Sequence, residues 1–203
     1  MGGTPLDITW LGGDTLLLRG REAKVLVDPS GSDPESAARA GADILVGGLG
    51  AKNLLRPESG PQVVARPGEY ELHGVSVRGV ALREGTAFVT EVDEVAVCSF
   101  GALPTEISEE MLEALGVIDV LAVSLLGGAP SRTVAVAELV ARLEPAVMVP
   151  TGYEPAADIA TGELAAFVKE MGLAQVSAQA KLTLTGSAGG TEDTRVTILE
   201  PRR

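Results

Sequence analysis

Short apolar segments follow one another through the first part of this chain, and their close spacing limits the folds available to it. The first three segments are Leu6–Leu11, Thr15–Arg19 and Lys24–Asp28, separated by Gly12-Gly13-Asp14 and by Gly20. Strands joined by links this short usually pair with their neighbours in antiparallel fashion. The sequence therefore predicts an antiparallel meander at the start of the chain.

Further strands are predicted up to about residue 100, followed by alternating helices and strands. The early strands are Ile44–Val46, Val63-Val64, Gly74–Val80, Ala87–Val92 and Val95–Phe100. The later strands are Asp119–Leu126, Ala146–Val149 closed by Pro150, Lys181–Thr185 and Arg195–Leu199. This order indicates two sheets with helices packed outside them, an α+β (layered α/β) arrangement. We expect residues 1–203 to form a single domain.

Three helices are expected in the second half. Ser108 is a favourable N-cap residue for the helix Glu109–Leu115, and Gly116 is a favourable residue at which to end it. The helices Thr133–Leu143 and Gly162–Met171 follow from apolar residues at helical spacing.

Charge and residue counts exclude several classes of protein. The 16 Lys and Arg against 28 Asp and Glu give a net charge of −12, which repels nucleic acids and anionic membranes. No apolar run is long enough to span a bilayer, and the first residues lack a secretory pattern, so we expect a cytoplasmic location. The single histidine, His73, and the single cysteine, Cys98, exclude a disulfide and any site built from several imidazoles or thiolates.

Several phrases occur in an order that resembles the metallo-β-lactamase superfamily, in the branch of ascorbate-6-phosphate lactonase-like proteins and zinc-dependent hydrolases. They include ITWLGGD at residues 8–14, Val27-Asp28-Pro29, Ala42–Val46, PGEYE at 67–71 followed by Gly74-Val75, and the closing KLTLT and VTILEP. The resemblance covers nearly the whole chain. It implies a four-layer αββα sandwich whose cleft holds one or two divalent metals.

The metal-ligand positions implied by this resemblance carry residues that cannot bind a metal. The first falls on Gly13, the late ones fall on Ala102 and Gly152, and the histidine-rich loop falls within GGLGAKNL at residues 47–54. The matched positions in that loop are Gly48, Leu49, Ala51 and Asn53. We therefore expect no cofactor, and zinc in particular is not expected.

Other residues remain as candidates for ligand contacts. Asp14, Glu154 and Asp158 could hold Mg²⁺ or Ca²⁺ through oxygen atoms if they converge. Lys52 follows a glycine-rich stretch, and Arg132 lies where a strand meets a helix, so either could bind an anion. The remaining candidates for cleft contacts are Tyr70 and Tyr153, which lie in phrases of the resemblance.

His73 and Cys98 have ordinary structural interpretations. We expect His73 on the surface or at a strand end, and Cys98 as a buried thiol in an apolar strand. The alternative is a cysteine nucleophile with His73 as its base.

Two functions follow from these observations. The main expectation is a metal-free, non-catalytic member of the fold that acts as a binding or assembly module. Its partner would be a small ligand, a protein or a second copy of the chain, and not a nucleic acid or a membrane. The alternative is a hydrolase of the lactone or phosphoester type that uses a carboxylate-bound divalent metal.

Overall fold

The computed structural model describes residues 4–29, 40–47, 60–83, 85–100, 103–126, 130–153, 162–173, 177–186 and 194–202. The strands, in chain order, are β1 (Pro5–Gly12), β2 (Thr15–Arg19), β3 (Lys24–Val27), β4 (Ile44–Val46), β5 (Gln62–Val64), β6 (Gly68–Leu72), β7 (Val75–Ala81), β8 (Thr86–Val92), β9 (Val95–Phe100), β10 (Val120–Ser124), β11 (Val147–Thr151), β12 (Ala178–Gln179), β13 (Leu182–Thr185), β14 (Arg195–Val196) and β15 (Ile198–Leu199). The helices in these ranges are α1 (Glu109–Leu115), α2 (Pro130–Leu143) and α3 (Glu163–Glu170).

The strands form two mixed sheets and one small pair. The first sheet has the order β13-β1-β2-β3-β4-β5, and the second has the order β14-β11-β10-β9-β8-β7-β6. Strands β1, β2 and β3 pair in antiparallel fashion, which confirms the predicted meander. Strands β3, β4 and β5 are parallel to one another, and so are β9, β10 and β11. The layered α+β prediction is confirmed.

The two sheets share one apolar core. In β1, alternate side chains Leu6, Ile8 and Trp10 are fully buried. They belong to the same packed cluster as Phe88 and Val97 of the second sheet. A smaller cluster around Leu17, Leu26 and Leu45 lies on the opposite face of the first sheet. Both faces of the first sheet are therefore apolar, which is why β2 reads as an unbroken apolar run.

Helix α1 begins and ends where its local sequence predicts. The Ser108 hydroxyl accepts a hydrogen bond from the Met111 amide at 3.2 Å. Gly116 ends the helix with a φ of 65°, a left-handed conformation that glycine adopts without strain. Helix α2 begins at Pro130, three residues before the predicted start at Thr133.

Two of the predicted strands differ in the structure. Pro150 does not end β11; it lies within the strand, opposite Val123 of β10. The Val147 amide donates to the carbonyl of Asp119, the residue before β10, whereas the Met148 carbonyl accepts from Thr197 on the β14 side. By the same alternation Pro150 faces the β14 side, where β14 pairs only with Val147 and Met148, so its missing N–H breaks no ladder bond.

The predicted strand Arg195–Leu199 is divided into two. Its first part, β14, pairs with β11 of the second sheet, and its second part, β15, pairs with the short strand β12. Thr197 lies between them, and its amide donates to Met148 at 2.9 Å. Strand β6 is partly exposed at the edge of the second sheet, and the prediction missed β12.

An aspartate directly precedes one parallel strand in each sheet, and its side chain accepts a hydrogen bond from a backbone amide. Asp43, before β4, accepts a hydrogen bond from the Lys24 amide at 2.8 Å. Asp119, before β10, accepts one from the Ala96 amide, also at 2.8 Å. The Asp43 bond is exposed, whereas Asp119 is only 2% exposed. The two residues therefore form a matched pair that differs in burial.

Replacing Asp119 should cost more stability than replacing Asp43. Asp119→Ala removes a buried carboxylate and leaves the partly buried Ala96 amide without its partner, which costs about 1–3 kcal/mol. In Asp43→Ala, water can replace the exposed carboxylate at a cost of about 1 kcal/mol or less. Urea unfolding of both variants measures the difference. Equal losses would contradict this account of the two bonds.

Asp7 should stabilise the fold in a pH-dependent way. Its carboxylate accepts hydrogen bonds from Lys181 Nζ at 2.7 Å and Thr183 Oγ1 at 2.6 Å, joining β1 to β13. The hydrogen bond from Lys181, followed by that from Thr183, lowers the pKa of Asp7 below its ordinary value. A lowered folded-state pKa gives stability that is present above the unfolded-state pKa of about 3.9 and is lost as the pH falls through the lower folded value.

Asp7→Asn should therefore lower the free energy of unfolding at pH 7 by about 0.5–1 kcal/mol, a small value because the pair is largely exposed. The difference between wild type and variant should shrink as the pH falls below about 4. Thermal unfolding across this range measures it. Lys181→Met alone and in combination completes a double-mutant cycle, and additive losses would show that the pair contributes nothing.

Candidate functional site

The carboxyl ends of the parallel strands of both sheets lie at one end of the sandwich. Asp28 directly follows β3, Ser99 is near the end of β9, and Ser124 and Thr151 end β10 and β11. Asp14 joins them from the turn between β1 and β2. We call these five residues the carboxylate cluster. Open α/β sheets commonly bind ligands at the carboxyl ends of their strands.

Backbone hydrogen bonds of Gly13 hold Asp14 in the cluster. The Gly13 carbonyl oxygen accepts one bond from the Trp10 indole nitrogen and one from the Gly152 amide, each at 2.8 Å. The second bond ties the β1–β2 turn to the end of β11. Thr151 Oγ1 lies 3.4 Å from Asp14 Oδ1, which orients the carboxylate over the second sheet.

The Asp14 carboxylate occupies the space directly beside Gly152. A β-carbon built on Gly152 would lie 2.6 Å from Asp14 Oδ1 and closer still to Ser124 Oγ. Gly152 also has a φ of 71°, in the left-handed region. A side chain at this position would therefore have to displace the carboxylate and the hydroxyl.

Asp28 is held by its backbone on both sides. Its amide donates to the Val46 carbonyl at 2.8 Å, and its carbonyl oxygen accepts from Thr15 Oγ1 at 3.2 Å. Its φ of 43° is unusual for a residue other than glycine, although aspartate tolerates this region better than most residues. Its carboxylate lies against Gly47, where a β-carbon would be 2.9 Å from Asp28 Oδ1.

The environment of Asp28 opposes its ionisation. Burial of the carboxyl raises the pKa of Asp28 to about 7, the nearby Ser99 hydroxyl opposes this shift, and the negative charge of Asp14 adds to it. Ser99 is only 1% exposed. Among the described residues its hydroxyl has no hydrogen bond of normal geometry. The cluster thus contains two carboxylates that interact and a buried hydroxyl whose bonding is incomplete.

The rim of the cluster contains a cation and an exposed apolar side chain. Arg132, in the first turn of α2, donates from Nε to the Ser124 carbonyl at 3.2 Å. The Leu126 amide donates to Ser124 Oγ at 3.2 Å. The Leu126 side chain is 62% exposed and lies beside Gly152, 3.2 Å from the position of an added β-carbon.

The two candidate tyrosines, Tyr70 and Tyr153, do not reach the carboxylate cluster with a hydrogen bond among the described residues. Tyr153 follows Gly152 but is buried, donates from its hydroxyl to the Leu199 carbonyl at 2.9 Å, and packs on Trp10 with ring centroids 4.6 Å apart. Tyr70 lies on the edge strand β6 and donates back to the Arg66 carbonyl at 3.2 Å. Both tyrosines therefore contribute to the framework.

His73 and Cys98 do not form a catalytic pair. His73 is exposed in the turn between β6 and β7, with a φ of 51°. It lines an open cavity of about 360 Å³ at the other end of the sheets, with Glu22 and Glu94. Cys98 is fully buried in β9, and burial, followed by the charge of Asp28, raises the pKa of its thiol.

Several of the predicted site residues lie outside the described residues. They are Gly48, Leu49, Ala51, Lys52, Asn53, Ala102, Glu154 and Asp158. Within the described ranges, no three histidine, cysteine or acidic residues are grouped as a metal site. The helices in those same ranges are all too short or too polar to cross a membrane.

Asp14 and Arg132 were predicted as site residues from the sequence. The other members of the cluster were not, namely Asp28, Ser99, Ser124 and Thr151. Asp28 was predicted only as the end of the segment Lys24–Asp28 and as part of the phrase Val27-Asp28-Pro29. Its position directly after a buried strand was the available signal. The two serines carry no such signal, because their importance depends on which strands become neighbours.

Two mixed sheets packed face to face, with polar residues at the carboxyl ends of parallel strands, define a layered α/β sandwich. The family profile described as the beta-lactamase superfamily domain matches residues 7–152 of the chain. The protein therefore belongs to this superfamily, and the sandwich expected from the resemblance is confirmed. None of the curated proteins matches the chain in sequence.

Solved structures of the same fold cover nearly the whole chain. A proposed zinc-dependent hydrolase of the metallo-beta-lactamase superfamily from Thermotoga maritima is 23% identical, with a TM-score of 0.73 over 96% of this chain and 99% of its own. A proposed metal-dependent hydrolase from Parabacteroides distasonis is 14% identical, with a TM-score of 0.57 over 98% and 95%. Igni18, a metallo hydrolase from Ignicoccus hospitalis, is 18% identical, with a TM-score of 0.55 over 89% and 98%.

These comparisons correct two expectations drawn from the sequence. The expectation of a metal-free, non-catalytic binding or assembly module is wrong, because the similar structures are described as hydrolases and none of the three as a binding module. The expectation of no cofactor, and of no zinc, is wrong for the same reason, since those hydrolases are described as zinc-dependent or metal-dependent. The alternative, a hydrolase, agrees better with them.

Cys98 should be unreactive in the folded protein, because a buried thiol with a raised pKa supplies almost no thiolate. We expect Ellman's reagent to label less than about one-tenth of the chains at pH 8 within minutes. The same reagent should label the one thiol of the chain fully in guanidinium chloride. Rapid labelling of the folded protein would contradict the structural role of Cys98.

Proposed function

We propose that this protein is a hydrolase of lactones or phosphoesters that uses a divalent metal held by oxygen atoms, chiefly those of Asp14 and Asp28. The observation that carries the proposal is the convergence of these two carboxylates at the carboxyl ends of the parallel strands. The charge of Asp14 acts on Asp28 across this site. The similar structures support a metal-dependent hydrolase as the class of activity.

The donor set fits a hard divalent cation. Mg²⁺ and Ca²⁺ prefer oxygen ligands, carboxylates above all, and Mn²⁺ shares this preference. The Ser99 hydroxyl, buried beside Asp28 without a hydrogen bond of normal geometry, supports a site that is incomplete without a bound group. Two carboxylates that repel each other also gain from a cation between them, because it offsets their repulsion.

The arrangement around Gly152 supports a replacement of ligands. Under the resemblance, Gly13 and Gly152 occupy ligand positions of the superfamily, and neither has a side chain. The carboxylate of Asp14, the residue after Gly13, lies in the space beside Gly152. In this proposal one carboxylate from the first sheet takes over the ligand role at the position where the second sheet has lost its side chain.

The residues of the chain have separable tasks in this proposal. When bound, the metal would supply an activated water and polarise the oxygen of the scissile group. Asp14 and Asp28 would hold the metal. The Gly13 carbonyl, which accepts from Trp10 and Gly152, fixes the backbone that aims Asp14. Thr15 and Val46 fix the backbone of Asp28 in the same way.

Metal titration tests the proposal directly. Tag-free protein should bind about one equivalent of Mn²⁺ or Mg²⁺ in calorimetry, and Asp14→Asn and Asp28→Asn should each weaken binding at least about tenfold, because each removes a charged ligand. Glu91→Gln removes one negative charge from the other end of the β8–β9 hairpin and should leave the affinity unchanged. Zn²⁺ is titrated in parallel.

Hydrolysis is measured with bis(p-nitrophenyl) phosphate and with a neutral lactone. We expect EDTA to abolish turnover and the added metal to restore it. Gly152→Ala, which displaces the Asp14 carboxylate without removing it, should also weaken metal binding. Wild type without metal binding, or Asp14→Asn and Asp28→Asn with unchanged affinity, would overturn the proposal.

A further inference from the structure

Building on the proposed function, we propose that Arg132 and Leu126 form the substrate-selecting rim of the carboxylate cluster and select substrates with an anionic group next to an apolar one. A phosphoester with an apolar leaving group has this chemistry. Both residues contact Ser124, which itself belongs to the cluster. Neither residue is needed to hold the metal.

Arg132 is placed to receive an anion at the edge of an otherwise acidic site. Its Nε donates to the Ser124 carbonyl, which anchors the guanidinium at the end of β10. Among the described residues this is the only hydrogen bond of its side chain, so its terminal nitrogens can donate to a ligand. A planar guanidinium recognises phosphate or carboxylate oxygens with paired hydrogen bonds.

The Arg132 guanidinium is a positive charge at an acidic site of a chain that is acidic as a whole. The protein carries a net charge of −12, and the Asp14 carboxylate lies within the site itself. An anionic substrate would be repelled unless a cation and the bound metal attract it locally. Arg132 is the described cation that contacts a residue of the cluster, so it is the group placed to supply this attraction.

Leu126 supplies the apolar part of the rim. It is one of the few large apolar side chains that the described residues leave exposed, at 62%. The Leu126 side chain lies close to Asp14 Oδ1 and Ser124 Oγ. All three lie within 3.2 Å of the position that a β-carbon built on Gly152 would occupy. An apolar group bound there would cover Leu126 while its anionic neighbour reaches Arg132.

Binding of two probes separates the rim from the metal site. Phenylphosphonate carries an anion next to a ring, and inorganic phosphate carries the anion alone. In calorimetry on the Mn²⁺-loaded protein, Arg132→Met should weaken both probes about tenfold or more, and Arg132→Lys should weaken them less. Leu126→Ser should weaken phenylphosphonate about threefold to tenfold and leave inorganic phosphate unchanged.

Matched controls and a separate readout keep the outcomes distinct. Arg66→Met and Val117→Ser change an exposed arginine and an exposed apolar residue elsewhere, and both should bind the probes as wild type does. Mn²⁺ affinity should be unchanged in every rim variant.

Wild type that binds Mn²⁺ but not phenylphosphonate would overturn this inference and leave the proposed function standing. Arg132→Met that binds phenylphosphonate as well as wild type does would have the same meaning. Arg132-dependent binding of phenylphosphonate by a protein that takes up no metal would support the rim and overturn the proposed function.

Discussion

The apolar face shared by the two sheets is the constraint on which the rest of the structure depends. Leu6, Ile8 and Trp10 point into one core with Phe88 from the opposite sheet. Because side chains alternate along a strand, a slip of one residue would turn polar residues such as Asp7 inward. The register of each strand is therefore fixed, and with it the positions at which the parallel strands end. The carboxylate cluster results from that alignment of strand ends.

The parts of the fold that the sequence predicted are those set by neighbouring residues. Strand β2 and helix α1 have local signals at both ends, and the structure confirms their bounds. Two predictions were wrong: that Pro150 ends β11, and that Arg195–Leu199 forms one strand. Both depend on which strand lies alongside, and neighbouring residues do not determine that. The site shows the same contrast: Asp14 was visible in a motif, whereas Ser99 gains its importance only from its contact with Asp28 across the core.

The histidine content of the chain limits the kind of metal site it can form, but not whether it can form one. One histidine excludes a site made of several imidazoles, and that inference is sound in itself. It does not exclude metal chemistry, because a fold can bring oxygen donors from distant segments into the same space. Here Asp14 comes from a turn of the first sheet and lies beside Gly152 of the second. A ligand set can change its chemical type while the strand ends that support it keep their places.

Pro150 has a consequence for where the second sheet ends. It is buried and lies on the side of β11 that faces β14, which pairs only with Val147 and Met148. A longer β14 would reach Pro150 and find no amide hydrogen there, so the ladder between the two strands could not continue. The chain instead leaves this side after Thr197 and pairs as β15 with β12. The missing hydrogen of one proline thus marks the border between the second sheet and the small two-stranded sheet.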